Sequence, residues 1–222
     1  MWYRLNVAVF AWYFRRAFGF RIEGQEQEPR PPYIIVANHA SAVDPPLVTR
    51  AVRARVAFAT KVELGDHPFV KLWLQSVGSF FVRRGQVDRK AIRAGLEVLR
   101  RGLALGIFAE GTRSLDGRLQ PFEDGAAYWA LKVGVPVLPV AIVGSHRTLS
   151  VGAKKIQRHP VLVRIGPPVT VPRVEGRLTG EVIRAWTRRF QQAVADLRPP
   201  EQQPLPAAAP AAASYNQRSR PR

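Results

Sequence analysis

The chain has 222 residues, 46% of them hydrophobic and 23% charged, an ordinary globular balance that excludes wholesale disorder and fits one domain with appendages. Lys and Arg outnumber Asp and Glu by 34 to 16, and the formal net charge of +18 draws polyanions of three kinds: nucleic acid, anionic lipid headgroups or a phosphorylated substrate. The absence of cysteine excludes disulfides, Cys-bearing zinc sites and a cysteine acyl-enzyme, while His39, His67, His146 and His159 show no paired metal-ligand spacing, so neither a metal nor a cofactor is expected.

Residues 1–24 read as an N-terminal membrane-associating helical segment. Arg4, Asn6, Arg15 and Arg16 break the apolar run, so nothing here reaches the roughly 20 residues needed to span a bilayer. The charges follow the apolar stretch, the reverse of a signal peptide, so the segment is expected to be retained. On a helix Arg4, Ala8, Ala11, Arg15 and Gly19 form one stripe, with Trp2, Leu5, Val9, Trp12 and Phe20 opposite. That division suits a helix lying in a membrane interface, with Arg16 snorkelling from the apolar sector; a terminal helix packed on the protein's own core has the same pattern.

From 25 to 197, strands alternate with helices. Apolar or β-branched runs predict strands at Tyr33–Ala37, Val56–Thr60, Ser79–Val82, Gly106–Phe108, Val137–Val143 and Val161–Ile165. Helices are predicted after Asp44, over Asp88–Gly102, around Glu123–Val133 and over Thr179–Leu197, the second from Ile92, Leu96, Leu99 and Leu103 at helical spacing. The alternation predicts a single α/β domain with a mostly parallel or mixed sheet flanked by helices. The Pro- and Ala-rich stretch 198–222 lacks any apolar period and reads as a disordered tail with a basic tip.

Four stretches carry the chemistry. In Ala37–Pro46, His39 and Asp44 stand five apart, about 140° from each other on a continuous helix, so they meet only across a strand-to-helix turn. A histidine is the usual base near neutral pH, and a carboxylate on its far nitrogen fixes tautomer and orientation. Asp44 followed by Pro45 equally suits a helix N-cap. Val77–Arg84 is an apolar strand ending in paired arginines, and Arg84 there can hold a phosphate bidentately or simply be solvated. Gly106–Ser114 runs a strand into Glu110, Gly111, Thr112 and Arg113, a combination that suits a phosphate cradle or a loop closed by a Glu–Arg pair. Gly134–Gly144 carries Pro136 and Pro139 within a strand, which predicts an edge, bulge or bend, with a structural role as an apolar wall.

In this order the stretches resemble the glycerolipid acyltransferase family, and within it the small bacterial 1-acylglycerol-3-phosphate acyltransferases. The first motif corresponds to Asn38, His39, Ser41 and Asp44, the second to Gly78, Phe81, Val82 and Arg84, and the third to Phe108 through Ser114. A proline-bearing stretch, Val135 to Val140 with Pro139, follows, and Lys61, Glu63 and Leu64 fit an intervening motif. Ala109 departs from the family's usual proline, which implies altered loop stiffness, not lost chemistry.

The resemblance implies His39 as general base with Asp44 as its partner, and Arg84, Glu110, Gly111, Thr112 and Arg113 around a substrate phosphate. It further implies acyl-coenzyme A or acyl-carrier protein as donor, 1-acylglycerol-3-phosphate as acceptor, and peripheral attachment to the cytoplasmic face of an anionic membrane. Another lysophospholipid or a lyso-amino-acid lipid is the alternative acceptor. The rival from another class is a non-catalytic basic protein binding nucleic acid or membrane, although no zinc-finger, RNA-recognition or helix-turn-helix signature occurs. No Gly-x-Ser-x-Gly elbow is present to support a serine acyl-enzyme.

Overall fold

The computed structural model describes residues 19–61, 79–82, 89–153 and 155–200. Residues 1–18, Gly78, Arg84, Asp88 and the stretch 201–222 lie outside it, as do Glu63 and Leu64.

Strand β2 (Tyr33–Ala37) is wholly buried, as a continuous apolar run should be when both faces of a parallel sheet are covered. Its register pairs it in parallel with β5 (Ala104–Phe108) on one side and with β6 (Val137–Val143) on the other. Beyond β5 come β3 (Val56–Lys61) and then β4 (Phe80–Val82), both parallel to it. On the other flank β7 (Leu162–Ile165) runs antiparallel to β6, and β1 (Arg21–Glu23) runs parallel to β7. The result is a seven-stranded mixed sheet in the order β1-β7-β6-β2-β5-β3-β4. Arg21–Glu23, read from sequence as part of the N-terminal helical segment, is thus an edge strand.

Alternate residues of β2 feed two cores. Tyr33, Ile35 and Ala37 join Leu138, Val140 and Ile142 beneath helix α1 (Asp44–Ala51), through Leu47, Val48 and Ala51. Ile34 and Val36 join Leu105, Ile107 and Val137 beneath α2 (Arg89–Arg100), α3 (Gly125–Val133) and α5 (Gly180–Ala195). The Trp129 indole N–H of α3 donates to the Ile92 carbonyl of α2 at 3.1 Å, and a Cβ on Gly95 would come within 2.7 Å of that ring, so close approach requires glycine there. Thr179 caps α5, its hydroxyl accepting from the Val182 amide, and Phe190 and Val194 are buried, while Val182 is exposed.

The two prolines do not mark an edge, because β6 lies inside the sheet. The bulge falls in the chain opposite Pro139: between the pairs Val140–Ile165 and Val137–Val169 that chain is one residue longer. The missing N–H of Pro139 faces the side where β7 has ended, and its carbonyl accepts from Gly166 at 3.0 Å.

Candidate active site

The parallel strands β2, β5 and β6 end on one edge of the sheet, so the segments after Ala37, Phe108 and Val143 converge there, where ligands bind in open α/β sheets. Asn38 fixes the first turn. Its side-chain amide donates to the Ile142 carbonyl at 3.0 Å and its oxygen accepts from the Ile142 amide at 2.7 Å, extending the β2–β6 ladder through a side chain.

The chain then turns, and His39 Nδ1 meets Asp44 Oδ2 at 2.8 Å. The same oxygen accepts from the backbone amides of Ala40 at 2.7 Å and Ser41 at 2.8 Å. Asp44 is therefore the first residue of α1 but not its side-chain cap: the helix is capped at Val43, and the carboxylate points back into the turn. Asp44 is fully buried and the His39 side chain is 15% exposed, so the pair offers only the imidazole edge to a substrate. With Nδ1 engaged, Nε2 is the nitrogen left to exchange a proton. Ser41 ties the turn down by donating from its hydroxyl to the Leu149 carbonyl at 2.9 Å, after the short helix α4 (Ser145–Thr148).

The imidazole stacks on Phe108 with ring centroids 4.2 Å apart, and Phe108 stacks in turn on Phe58 at 5.5 Å. A Cβ on Gly106 would strike the Phe58 ring at 2.5 Å. Glycine in β5 thereby leaves space for the aromatic stack that orients His39.

Glu110 turns inward. It is 5% exposed; one carboxylate oxygen accepts from the His39 amide at 2.8 Å and the other from the Gln120 amide at 3.2 Å. It brackets the histidine's backbone rather than lining an open anion cradle. Burial pushes its carboxyl up to about 8, outweighing the two amide donors and the nearby Arg198 guanidinium, which favour the charged form. The Ser114 amide completes the bracket by donating to the His39 carbonyl at 2.8 Å. Ala109, in place of the family's proline, donates its amide to the Ala37 carbonyl at 3.2 Å, a bond proline cannot make.

Arg198 escaped sequence reading entirely, as the first residue assigned to the disordered tail. It is 3% exposed, with Nη1 donating at 3.1 Å to the Ile142 carbonyl that Asn38 also uses, and Nη2 donating to the Gly117 carbonyl. The folded unit therefore reaches past Leu197. Desolvation lowers the guanidinium's pKa, while Glu110 and Asp44 oppose that shift. His146 beside it is also lowered, first by burial and then by Arg147, His159 and Arg198.

Of the residues expected around a phosphate, Gly111 has φ +71° and its amide donates to the Phe108 carbonyl at 3.2 Å, so it turns the chain and leaves its own N–H engaged. Thr112 and Arg113 beyond it are exposed on the same edge as His39. Phe81 contributes its backbone to β4, and Arg84 and Gly78 fall outside the described residues. Among the described residues no group of His, Asp and Glu is placed to hold a metal ion.

The chain is similar to known proteins. A protein from Borreliella burgdorferi named 1-acyl-sn-glycerol-3-phosphate acyltransferase is 33% identical over 128 residues, covering 56% of this chain and 51% of that protein. A Pseudomonas aeruginosa protein named lyso-ornithine lipid O-acyltransferase is 36% identical over 135 residues, covering 59% and 52%. The chain spans about half the length of these curated relatives. The crystal structure of the 1-acyl-sn-glycerophosphate (LPA) acyltransferase PlsC from Thermotoga maritima superposes with a TM-score of 0.69 at 30% identity, covering 88% of this chain and 79% of that one. The Acyltransferase family profile matches residues 19–143, from β1 through the dyad to the end of β6, and the chain belongs to that family.

Proposed function

We propose that this protein transfers a fatty acyl group from a thioester donor, acyl-coenzyme A or acyl-carrier protein, to the free hydroxyl of 1-acylglycerol-3-phosphate, giving phosphatidic acid. The observation that carries the reading is the 2.8 Å His39–Asp44 contact at the ends of the parallel strands in a member of the acyltransferase family. In the proposed step Nε2 of His39 takes the acceptor's hydroxyl proton as its oxygen bonds to the thioester carbonyl carbon. The C–S bond then breaks, and the imidazolium returns the proton to the departing thiolate. Asp44 stabilises the imidazolium while it exists. A chain without cysteine has no thiol nucleophile, which favours direct transfer between donor and acceptor.

Exposed Thr112 and Arg113 beside the dyad support an anionic acceptor, with Arg84 as a further phosphate ligand from the second motif. The 36% identical lyso-ornithine lipid acyltransferase favours a second acceptor class, a lyso-amino-acid lipid, whose carboxylate an arginine also recognises. We further propose peripheral association with the cytoplasmic face of an anionic membrane; among the described residues no helix is long and apolar enough to cross one. The test is thiol release by purified protein, with both donors, against lysophosphatidic acid, other lysophospholipids and lyso-ornithine lipid. Release that depends on lysophosphatidic acid supports the reading; release only with another acceptor replaces the substrate, and silence from folded protein rejects the activity.

A further inference from the structure

Among the described residues, exposed large apolar side chains are concentrated on one edge of the sheet. Among the described residues the large hydrophobic side chains left in water are Leu115 at 79%, Ile156 at 44%, Val182 at 39% and Val151 at 37%. All but Val182 belong to the segments that follow β5 and β6, at the sheet edge where His39 lies. Those segments meet one another: a Cβ on Gly117 would come within 2.5 Å of the His146 ring, and the Leu149 carbonyl accepts from Ser41 in the dyad's turn. Leu115, Val151 and Ile156 are thus parts of a single rim.

The charge on this rim has one dominant sign. From Gly144 to Val161 the sequence contains no Asp or Glu. Arg147, Lys155 and Arg158 from that stretch are exposed, as are Arg113 and Arg118 on either side of Leu115. The exposed countercharges in the segment after β5 include Asp116, whose carboxylate accepts from the Ser114 hydroxyl and the Arg118 amide and lies 4.0 Å from the Arg118 guanidinium, and Glu123, whose side chain lies against Gly111. Solvated apolar tips set among basic side chains complement an anionic bilayer, where the tips enter the acyl boundary and the bases stay with the headgroups.

We propose that Leu115, Val151, Lys155, Ile156 and Arg158 form the surface with which the protein lies on an anionic lipid bilayer, with the His39–Asp44 site held against the membrane. The proposal deepens the functional reading and rests on it in one respect, that the acceptor is a lipid resident in the membrane. It adds docking residues beyond the segment 1–18 that the sequence singles out. An acceptor then reaches the imidazole without its acyl chain crossing water.

The absence of native cysteine makes a direct test possible in the full chain. Leu115→Cys and Ile156→Cys, each carrying an environment-sensitive fluorophore, are compared with Arg101→Cys, an exposed site before β5 at the opposite end of the sheet. Added phosphatidylglycerol–phosphatidylcholine vesicles should raise fluorescence at 115 and 156 by about twofold or more, with little change at 101, and added salt should weaken the response. An equal response at 101, or no response at 115 and 156 in protein that sediments with the vesicles, overturns the proposal, as does failure to sediment. Leu115→Glu with Ile156→Glu should reduce transfer to a vesicle-embedded acceptor by about tenfold or more while sparing transfer to a short-chain, water-soluble one. If no transfer activity exists, the fluorophores still report docking; if activity on vesicles survives both substitutions, docking by this rim is refuted while the enzymatic reading stands.

Discussion

Replacing Asp44 by Asn separates the carboxylate's charge from its shape. With the Asn oxygen in the place of Oδ2, the amides of Ala40 and Ser41 keep their acceptor, so the turn retains its geometry. The amide nitrogen then takes the place of Oδ1, which is buried and has no hydrogen-bond partner among the described residues, so one unsatisfied polar atom replaces another. Folding should therefore change little, by about 1 kcal/mol. Catalysis should not be spared. Unit charges about 4 Å apart at an effective dielectric of about 20 attract by about 4 kcal/mol. At 1.36 kcal/mol per decade, losing that stabilisation of the imidazolium slows transfer by roughly a thousandfold. The assay is acceptor-dependent thiol release under conditions where chemistry is rate-limiting, alongside urea unfolding of the same variant. A loss below about tenfold in a normally folded variant would refute the assignment of Asp44 as electrostatic partner.

Glu110 makes wild-type stability depend on pH. Because burial raises its carboxyl from an ordinary 4.5 to about 8 in the fold, the folded state holds a proton that the unfolded chain has released across that interval. Its stabilising effect is full below pH 4.5 and is lost as pH rises toward 8, by up to about 1.4 kcal/mol per pH unit; this contribution should vanish from urea midpoints of Glu110→Gln, and an identical pH dependence would contradict it. Arg198→Met strips Gly117 of a buried donor and leaves Glu110 and Asp44 without the neighbouring cation, so it should destabilise by about 3 kcal/mol. An unchanged thermal midpoint would show that the guanidinium is dispensable. Arg113→Ala should raise the acceptor KM by roughly tenfold or more while sparing kcat, because the side chain is proposed to hold the phosphate in both ground and transition states; an unchanged KM with rate-limiting chemistry excludes that contact.

What could be read from sequence follows how strongly each element is set by its own residues. Tyr33–Ala37 and Val137–Val143 coincide with the observed β2 and β6, since unbroken apolar runs bounded by turn residues fix a buried strand locally. β1 is a three-residue strand whose only apolar residue is Ile22, and pairing with β7 alone makes it a strand. β5 begins at Ala104, two residues before its predicted start, because Ala–Leu ahead of a glycine carries no strand signal of its own. At the site, the spacing of His39 and Asp44 across a proline-marked turn was legible, and their contact is as expected. The inward turn of Glu110 was not, because the amides it accepts from belong to His39 and Gln120, which only the fold assembles. Arg198 sits beside two prolines in a polar stretch, with no periodicity to mark it as buried.

The most direct test of the account is His39→Ala in the thiol-release assay, with its fold checked by thermal unfolding. General-base catalysis is worth about a hundredfold or more, so transfer should fall by at least that factor with the fold intact. Retention of more than about a tenth of the wild-type rate would contradict His39 as the base, whatever the acceptor proves to be.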